Sequence, residues 1–202
     1  MHHKDNPLKR LFERITEYNE IAEIGEIARR YFAMNAFDGV LTIIGVLMGH
    51  YAAGVEDPSI VVTTGLTTSV AIGISGLWGS FLTESAERKR EMDELSRSTL
   101  RDQNGSKIGK ASRFAAVAVS LVDGFSPFLA SLVVLIPFFF TNLFIDIRSV
   151  YYTAIGFALL VLFSLGMFLG KVSKQNLFAM GLKTLAAGLI SVLISNLLGT
   201  SH

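Results

Sequence analysis

The chain has 202 residues, 50% of them hydrophobic, and its mean hydropathy of +0.47 is too high for an ordinary soluble domain. Its formal net charge is +1, so there is no overall basic field and we expect no nucleic acid partner. Cysteine is absent, which excludes disulfide frameworks and thiolate metal sites.

The N-terminal region, residues 1–30, is charged throughout and has no early apolar core, which argues against a signal peptide. Within it, residues 7–30 predict an amphipathic helix, because Leu8, Leu11 and Ile15 recur along one side. We expect this helix to lie in the membrane interface, on the cytoplasmic side, ahead of the first span.

Five windows further along are long enough and apolar enough to cross a membrane, since a spanning helix needs about 20 mainly apolar residues. They cover residues 31–53, 60–83, 114–140, 148–170 and 176–198. Pro58 suits the first turn of the second spanning helix. Residues 84–103 contain neither proline nor glycine, so we expect the second helix to continue through them until Asn104-Gly105 ends it.

The predicted fold is therefore an all-α membrane protein with five transmembrane helices. Its predicted regions are an N-terminal cytoplasmic amphipathic helix at 1–30, spans one and two at 31–83, a cytoplasmic Glu-rich helical segment at 84–113, and spans three to five at 114–198. Lys and Arg number six in the first region and eight in the third, whereas the connection at 54–59 has none. By the positive-inside rule, we expect a multi-pass protein of a cell inner membrane with its N-terminus in the cytoplasm.

Two aspartates lie inside predicted spans, where an ionised group costs about 2.5–3.5 kcal/mol on insertion scales and marks a functional site by default. Asp38 lies early in span one and Asp123 early in span three, and each is followed by glycine. Met34 lies one turn from Asp38, and a carboxylate with a thioether suits Fe²⁺ or Mn²⁺ better than Ca²⁺. Metal binding to such a carboxylate displaces its proton, which provides a route to metal–proton exchange.

The alternative interpretation of these aspartates is structural. Each carboxylate would then form a hydrogen bond or an ion pair across helices, and Lys183 in the fifth span is an available cation. Histidine adds nothing decisive, because His50 near the outer end of span one is better explained as an interfacial residue than as a metal ligand at the exit.

A second group of acidic residues follows the second span. Its spacing of three, four and three residues places the side chains within about 80° of arc on one helix face. The members are Glu84, Glu87, Glu91 and Glu94. Like charges one turn apart destabilise a helix, and a bridging divalent cation would remove that penalty. The alternative is a solvated surface that the interspersed cations at 88–90 neutralise.

Three motifs carry a family resemblance. They are Asp38-Gly39 early in span one, GISGLWGSFLTESAER from span two into the Glu-rich helix, and IPFFF near the end of span three. With them, the chain from about residue 30 to residue 200 resembles the vacuolar iron transporter family, which includes plant and yeast vacuolar importers and prokaryotic relatives. The resemblance implies a homodimer that exports Fe²⁺, sometimes Mn²⁺, from the cytosol in exchange for protons. It also implies that Asp38 binds metal within the membrane and that the glutamates capture it in the cytoplasm.

The chain departs from that family's pattern at the end of span two. The family commonly reads Ser-Met-Gly-Leu-Gly-Glu-Tyr-Leu-Ser there, whereas Gly76 stands at the Met position and Ser80 at the Glu position. Met34 or Met48 is available as a replacement thioether. The segment 84–113 is shorter than the three-helix metal domain of larger members, so the chain resembles a compact, divergent prokaryotic-type branch.

These observations predict a transporter of Fe²⁺ or Mn²⁺ that is not an enzyme and has no permanently bound cofactor. Its expected partners are divalent metal ions, protons, membrane lipid and a second copy of the chain. One alternative is a membrane metal sensor or scaffold without transport, which Gly76 and Ser80 favour. A lipid phosphotransferase is disfavoured, because Asp38-Gly39 is not followed by the Ala-Arg and the two further Asp that such enzymes need.

Overall fold

The computed structural model describes residues 7–102 and 105–199, with side chains described from Ile15 onward within those ranges. In this part of the chain the regular elements are all helical. They are α1 (Pro7–Ala22), α2 (Ile24–Ala52), α3 (Pro58–Thr99), α4 (Lys107–Phe139), a 3₁₀ turn (Thr141–Leu143), α5 (Ile147–Val172) and α6 (Leu177–Gly199). The five helices from α2 to α6 are each long and apolar enough to cross a membrane, which confirms the predicted all-α membrane fold.

The break between the first two helices lies at Glu23, inside the stretch of residues 7–30 that the sequence predicted as one amphipathic helix. Glu23 adopts a left-handed backbone conformation with a φ of 50°, which ends α1 and turns the chain into α2. The Asn19 side-chain oxygen accepts the Gly25 N–H at 2.7 Å, so this donor keeps a partner across the break. The first membrane helix therefore begins well before its apolar window.

The second membrane helix, α3, is a single helix of 42 residues, as its lack of internal proline predicted. Asp57 caps its start and accepts hydrogen bonds from the Ser59 N–H at 2.8 Å and the Ser59 hydroxyl at 2.7 Å. These two bonds hold the pKa of Asp57 below its usual value. The helix ends at Thr99, followed by Leu100 in a left-handed conformation.

The predicted Glu-rich segment, residues 84–113, consists of the last turns of α3, a short connection and the first turns of α4. These turns lie at one end of the bundle together with α1 and the α5–α6 connection, and we call this end the basic end. At the basic end, α1 is held against α4 by an ion pair of 2.5 Å between Lys107 and Glu17. The rings of Tyr18 and Phe114 add a tilted contact, with 5.7 Å between centroids.

The opposite end, which we call the aromatic end, contains Tyr51, Tyr151 and Tyr152. The hydroxyls of Tyr51 and Tyr152 lie 2.8 Å apart, and the Tyr151 hydroxyl donates to the Val55 carbonyl at 2.9 Å. Between this end and the bundle centre lies the main apolar core, to which α2, α4 and α5 contribute most. Its buried members include Val40, Ile43, Ile44, Leu47, Val134, Leu135, Phe138, Tyr151, Ala154, Ala158 and Leu162.

Both Asp-Gly pairs place their glycine against the backbone of another helix. A Cβ added at Gly39 would lie 2.5 Å from the Pro127 carbonyl oxygen on α4, and one at Gly124 would lie 2.6 Å from the Gly73 carbonyl oxygen on α3. Small residues permit this close approach at membrane helix interfaces. The two glycines therefore bring α2, α4 and α3 together beside the two aspartates.

Replacing Gly39 with alanine is expected to destabilise the fold, because α2 and α4 must shift to accept the new methyl group. Overpacking of this kind costs about 1–3 kcal/mol. We expect a lower thermal unfolding midpoint in detergent for Gly39→Ala. Gly45→Ala is the matched control on the same helix, because a Cβ there meets no atom within 4 Å. A Gly39→Ala midpoint at or above that of the parent protein would contradict this account of the packing.

Candidate functional site

Asp38 lies on an uncovered face of α2, together with Met34 and Thr42 one turn to either side. The Thr42 hydroxyl donates to the Asp38 main-chain carbonyl at 2.8 Å and not to its carboxylate. Within residues 7–102 and 105–199, the Asp38 carboxylate forms no hydrogen bond or ion pair. Lys183, the cation considered as its partner, is exposed on α6 and pairs with neither aspartate. Asp38 is therefore open to a ligand from outside this chain.

Asp123, in contrast, is buried on α4, with 7% of its surface exposed. It accepts a hydrogen bond from the Asn35 side-chain amide on α2, and that amide also donates to the Tyr31 carbonyl at 2.9 Å. The buried Ser80 hydroxyl lies beside the Asp123 carboxylate, but without the geometry of a hydrogen bond. The hydrogen-bond donor to Asp123 is thus neutral, and no cation in the described residues pairs with its carboxylate.

A third carboxylate lies towards the basic end. Glu84 on α3 is largely buried and accepts hydrogen bonds from the Tyr31 hydroxyl at 3.2 Å and from Arg88 at 3.1 Å. Asp123 lies close enough to Glu84 and Asp38 for their negative charges to act on its carboxylate. Polar groups therefore follow one another from Glu84, just beyond the apolar window of α3, into the bundle. We call this set the polar track, and its members are Glu84, Tyr31, Asn35, Asp123 and Asp38.

The structure divides the predicted glutamate group. Three of its members line an open cavity of about 360 Å³ between the α1–α2 break and α3, and the break itself adds Glu23. The acidic lining residues are Glu23, Glu84, Glu87 and Glu91. Glu94 lies outside this cavity and pairs with Arg90 at 2.9 Å on an exposed surface. We call this space the glutamate cavity; Arg30 and Arg88 also line it and offset part of its charge.

Sequence reasoning did not place Glu23 or Tyr31 in this site. Glu23 lies within the predicted amphipathic helix of residues 7–30, and the left-handed turn at that residue places it in the lining of the cavity beside α3. Tyr31 was treated as the first residue of an apolar window, whereas its hydroxyl binds Glu84 53 residues away in sequence. For both Glu23 and Tyr31, the one sequence signal that could have indicated a role in the site was a position near the start of the predicted first span.

The two positions that depart from the family pattern face Asp123. A Cβ added at Gly76 would lie 3.2 Å from the Asp123 carbonyl oxygen, and Ser80 lies one turn further along α3 beside the Asp123 carboxylate. Within the described residues, no three His, Asp or Glu side chains come close enough together to hold a metal ion. One chain therefore places several carboxylates near each other without completing a coordination shell.

Comparison with known proteins identifies the family. A sequence profile of the VIT family matches residues 30–107 and 90–200. The chain belongs to the VIT family. Members of the VIT family are membrane transporters of metal, so this chain is a multi-pass membrane protein of a metal transporter family and not of an enzyme family. An uncharacterized protein of Methanocaldococcus jannaschii is 36% identical over 169 residues, which cover 82% of this chain and 85% of the archaeal protein.

Proposed function

We propose that this VIT family protein exports Fe²⁺ or Mn²⁺ from the cytosol in exchange for protons. The observation that supports this most strongly is Asp38, a carboxylate on a membrane helix with no partner in its own described chain. An ionised group at that depth is unfavourable unless a cation, a proton or a polar surface meets it. The metal is the cargo in this proposal, and no permanently bound cofactor takes part.

A second copy of the chain supplies the missing surface in our proposal. The Asp38 face of α2 is uncovered, and the apolar window of α3 is only 17% buried within one chain. The uncovered face of α3 has small and hydroxyl-bearing residues at four-residue intervals, which suit close helix packing in a membrane. They are Thr63, Thr67, Ala71 and Ser75. A homodimer that joins these faces would bring two Asp38 carboxylates and two Met34 thioethers into one site.

The proposed route follows the polar track. Metal enters at the glutamate cavity, passes Glu84 and Asp123, and reaches the Asp38 site at the dimer seam. Vacant carboxylates along this route hold protons, and the arriving metal displaces them, which couples metal to proton movement. We place the basic end in the cytoplasm of a cell inner membrane, because Lys and Arg concentrate on the cytoplasmic side of membrane proteins.

Reconstitution into proteoliposomes tests this function. Vesicles would enclose one dye that is quenched by Fe²⁺ or Mn²⁺ and a second dye that reports pH. External metal should quench the first dye faster when the interior is acidic, and the interior should become more alkaline as protons leave. Protein-free vesicles are the control. Quenching that equals this control at every pH difference would contradict transport.

We predict separately that the glutamate cavity captures metal from the cytosol. Glu87→Gln with Glu91→Gln is expected to raise the metal concentration that gives half-maximal flux by about ten-fold, since outer ligands typically change metal affinity by this order. Maximal flux should change little, because the membrane site is intact. Glu94→Gln is the matched control, since Glu94 lies outside the cavity. An equal shift in the control would contradict a capture role for the cavity.

A metal sensor or scaffold without transport is the second candidate. Gly76 and Ser80 favour it, because neither can supply the thioether and carboxylate that the related proteins have at these positions. Titration calorimetry of the full chain with Mn²⁺ separates the two candidates when it is combined with the flux assay. Saturable heat of binding without any flux would support the sensor.

A further inference from the structure

A cavity of about 470 Å³ opens between α3 and α4 at the basic end, and Arg88 lines both this cavity and the glutamate cavity. Three cations and two hydroxyls line it, together with an aromatic ring on the membrane side. These residues are Phe81, Ser85, Arg88, Lys89, Ser112 and Arg113. Ser85, Arg88 and Lys89 follow the apolar window at 60–83, and Ser112 and Arg113 directly precede the window at 114–140, so the polar lining lies at the level of lipid headgroups. We call this space the basic cavity.

The charges of the basic cavity suit a phosphate group. Arg88 is bound to Glu84 at 3.1 Å, and the exposed side chains of Lys89 and Arg113 also line the cavity wall. Guanidinium and ammonium groups form short, charge-assisted hydrogen bonds to phosphate oxygens, and serine hydroxyls add neutral donors. No acidic side chain is among the residues that line this cavity. Basic pockets between membrane helices are typical sites for anionic headgroups.

An apolar groove continues the same α3–α4 seam towards the membrane centre, with a volume of about 230 Å³. The close backbone contact between Gly73 and Gly124 forms its floor, and larger side chains form its walls. The wall residues are Val70, Ile74, Leu77, Phe125 and Phe128. Leu77 in the groove is one helical turn from Phe81 in the basic cavity, so the two spaces are adjacent. We call this space the apolar groove.

We propose that the basic cavity and the apolar groove together bind one anionic phospholipid, with its phosphate at Lys89 and Arg113 and an acyl chain in the groove. The distance along α3 from Ser85 to Ile74 is about 16 Å at 1.5 Å per residue. This is about half of the roughly 30 Å hydrocarbon core, which is the depth that one leaflet's chains reach. A soluble anion would contact only the cations of the basic cavity and would leave the apolar groove empty. A phospholipid uses both the charge and the groove, which remains uncovered in this chain, with 63% of Ile74 exposed.

Native mass spectrometry of the full-length protein in detergent tests the site. Phosphatidylglycerol and phosphatidylcholine with the same acyl chains would be added separately, and we expect at least ten-fold tighter binding of phosphatidylglycerol. The double variant Lys89→Gln, Arg113→Gln should remove this preference. Ile74→Trp fills the apolar groove and should weaken phosphatidylglycerol binding at least ten-fold while the cations stay in place.

The matched control is Lys171→Gln with Lys174→Gln, which removes two exposed cations at the same end of the bundle but outside the cavity. A loss of lipid preference in this control equal to that of the cavity variant would overturn the proposal. So would displacement of the lipid by excess inorganic phosphate, which would indicate a simple anion site. Unfolding midpoints without lipid establish that each variant is folded, and Lys89→Gln alone replaces the double variant if that one unfolds.

Discussion

Replacing Asp38 with asparagine is expected to reduce metal flux about 100-fold or more, with the protein still folded. Asparagine keeps the shape of the side chain but removes the charge that attracts the metal and the proton that the metal displaces. Outer-shell substitutions alone change metal affinity by about 10- to 100-fold, so a direct ligand should change it at least as much. The measurement is initial quench rate in proteoliposomes at matched protein density.

The control for this variant is Asp93→Asn, which changes an exposed aspartate on α3 beyond the apolar window. It should transport like the parent protein. Loss of a charge at membrane depth removes an insertion penalty, so Asp38→Asn should also have an unfolding midpoint in detergent no lower than that of the parent. Parent-like flux in Asp38→Asn would refute the proposed role of Asp38.

Asp123→Asn is expected to lower metal flux about ten-fold, mainly by weakening metal binding. The carboxylate of Asp123 is buried and shares its surroundings with the charges of Glu84 and Asp38, so it adds negative potential along the track. Asparagine can still accept the hydrogen bond from Asn35, which should preserve the contact between α2 and α4. The measurement is flux as a function of Mn²⁺ concentration.

A purely structural role for Asp123 predicts a different outcome. In that case Asp123→Asn would shift the unfolding midpoint of the metal-free protein and leave the Mn²⁺ dependence of flux unchanged. In our account, the metal-free midpoint changes little, and the increase in midpoint on adding Mn²⁺ is reduced. Comparing midpoints with and without Mn²⁺ therefore separates the two roles for this residue.

The elements that were predictable from sequence are those that depend on local composition. Five apolar windows of about 20 residues predicted five spanning helices, and the lack of breakers after residue 83 predicted the long α3. The break at Glu23 was not predictable in the same way. It depends on a left-handed residue with no glycine to mark it, and on a side chain six positions earlier that supplies the partner for the Gly25 N–H.

The site was predictable in its parts but not in its arrangement. Asp38 and Asp123 were identifiable because ionisable groups are rare at membrane depth, but nothing in the sequence indicated that Asn35 would bind Asp123 across 88 residues. The repeated Asp-Gly pair was visible in the sequence, but the reason for the glycine in each pair was not. The structure supplies it, because each glycine lets two backbones meet beside its aspartate.

The glutamate cavity has a consequence for how a compact VIT family protein can capture metal. Its acidic lining comes from the α1–α2 break and from the start of the α3 extension, two parts of the chain that already flank the membrane. In our proposal, these parts take over the capture role that a separate cytoplasmic domain has in larger relatives. The cavity opens beside Glu84, which is the first member of the polar track.

The central claim is that Asp38 binds the transported metal inside the membrane. Anomalous X-ray scattering from crystals of the full-length protein soaked in Mn²⁺ or Fe²⁺ tests it most directly. Our account predicts an anomalous peak within bonding distance of the Asp38 carboxylate, shared between two copies of the chain, with a second peak in the glutamate cavity. Peaks confined to the glutamate cavity, or no peak beside Asp38 in crystals of protein that transports metal, would contradict it.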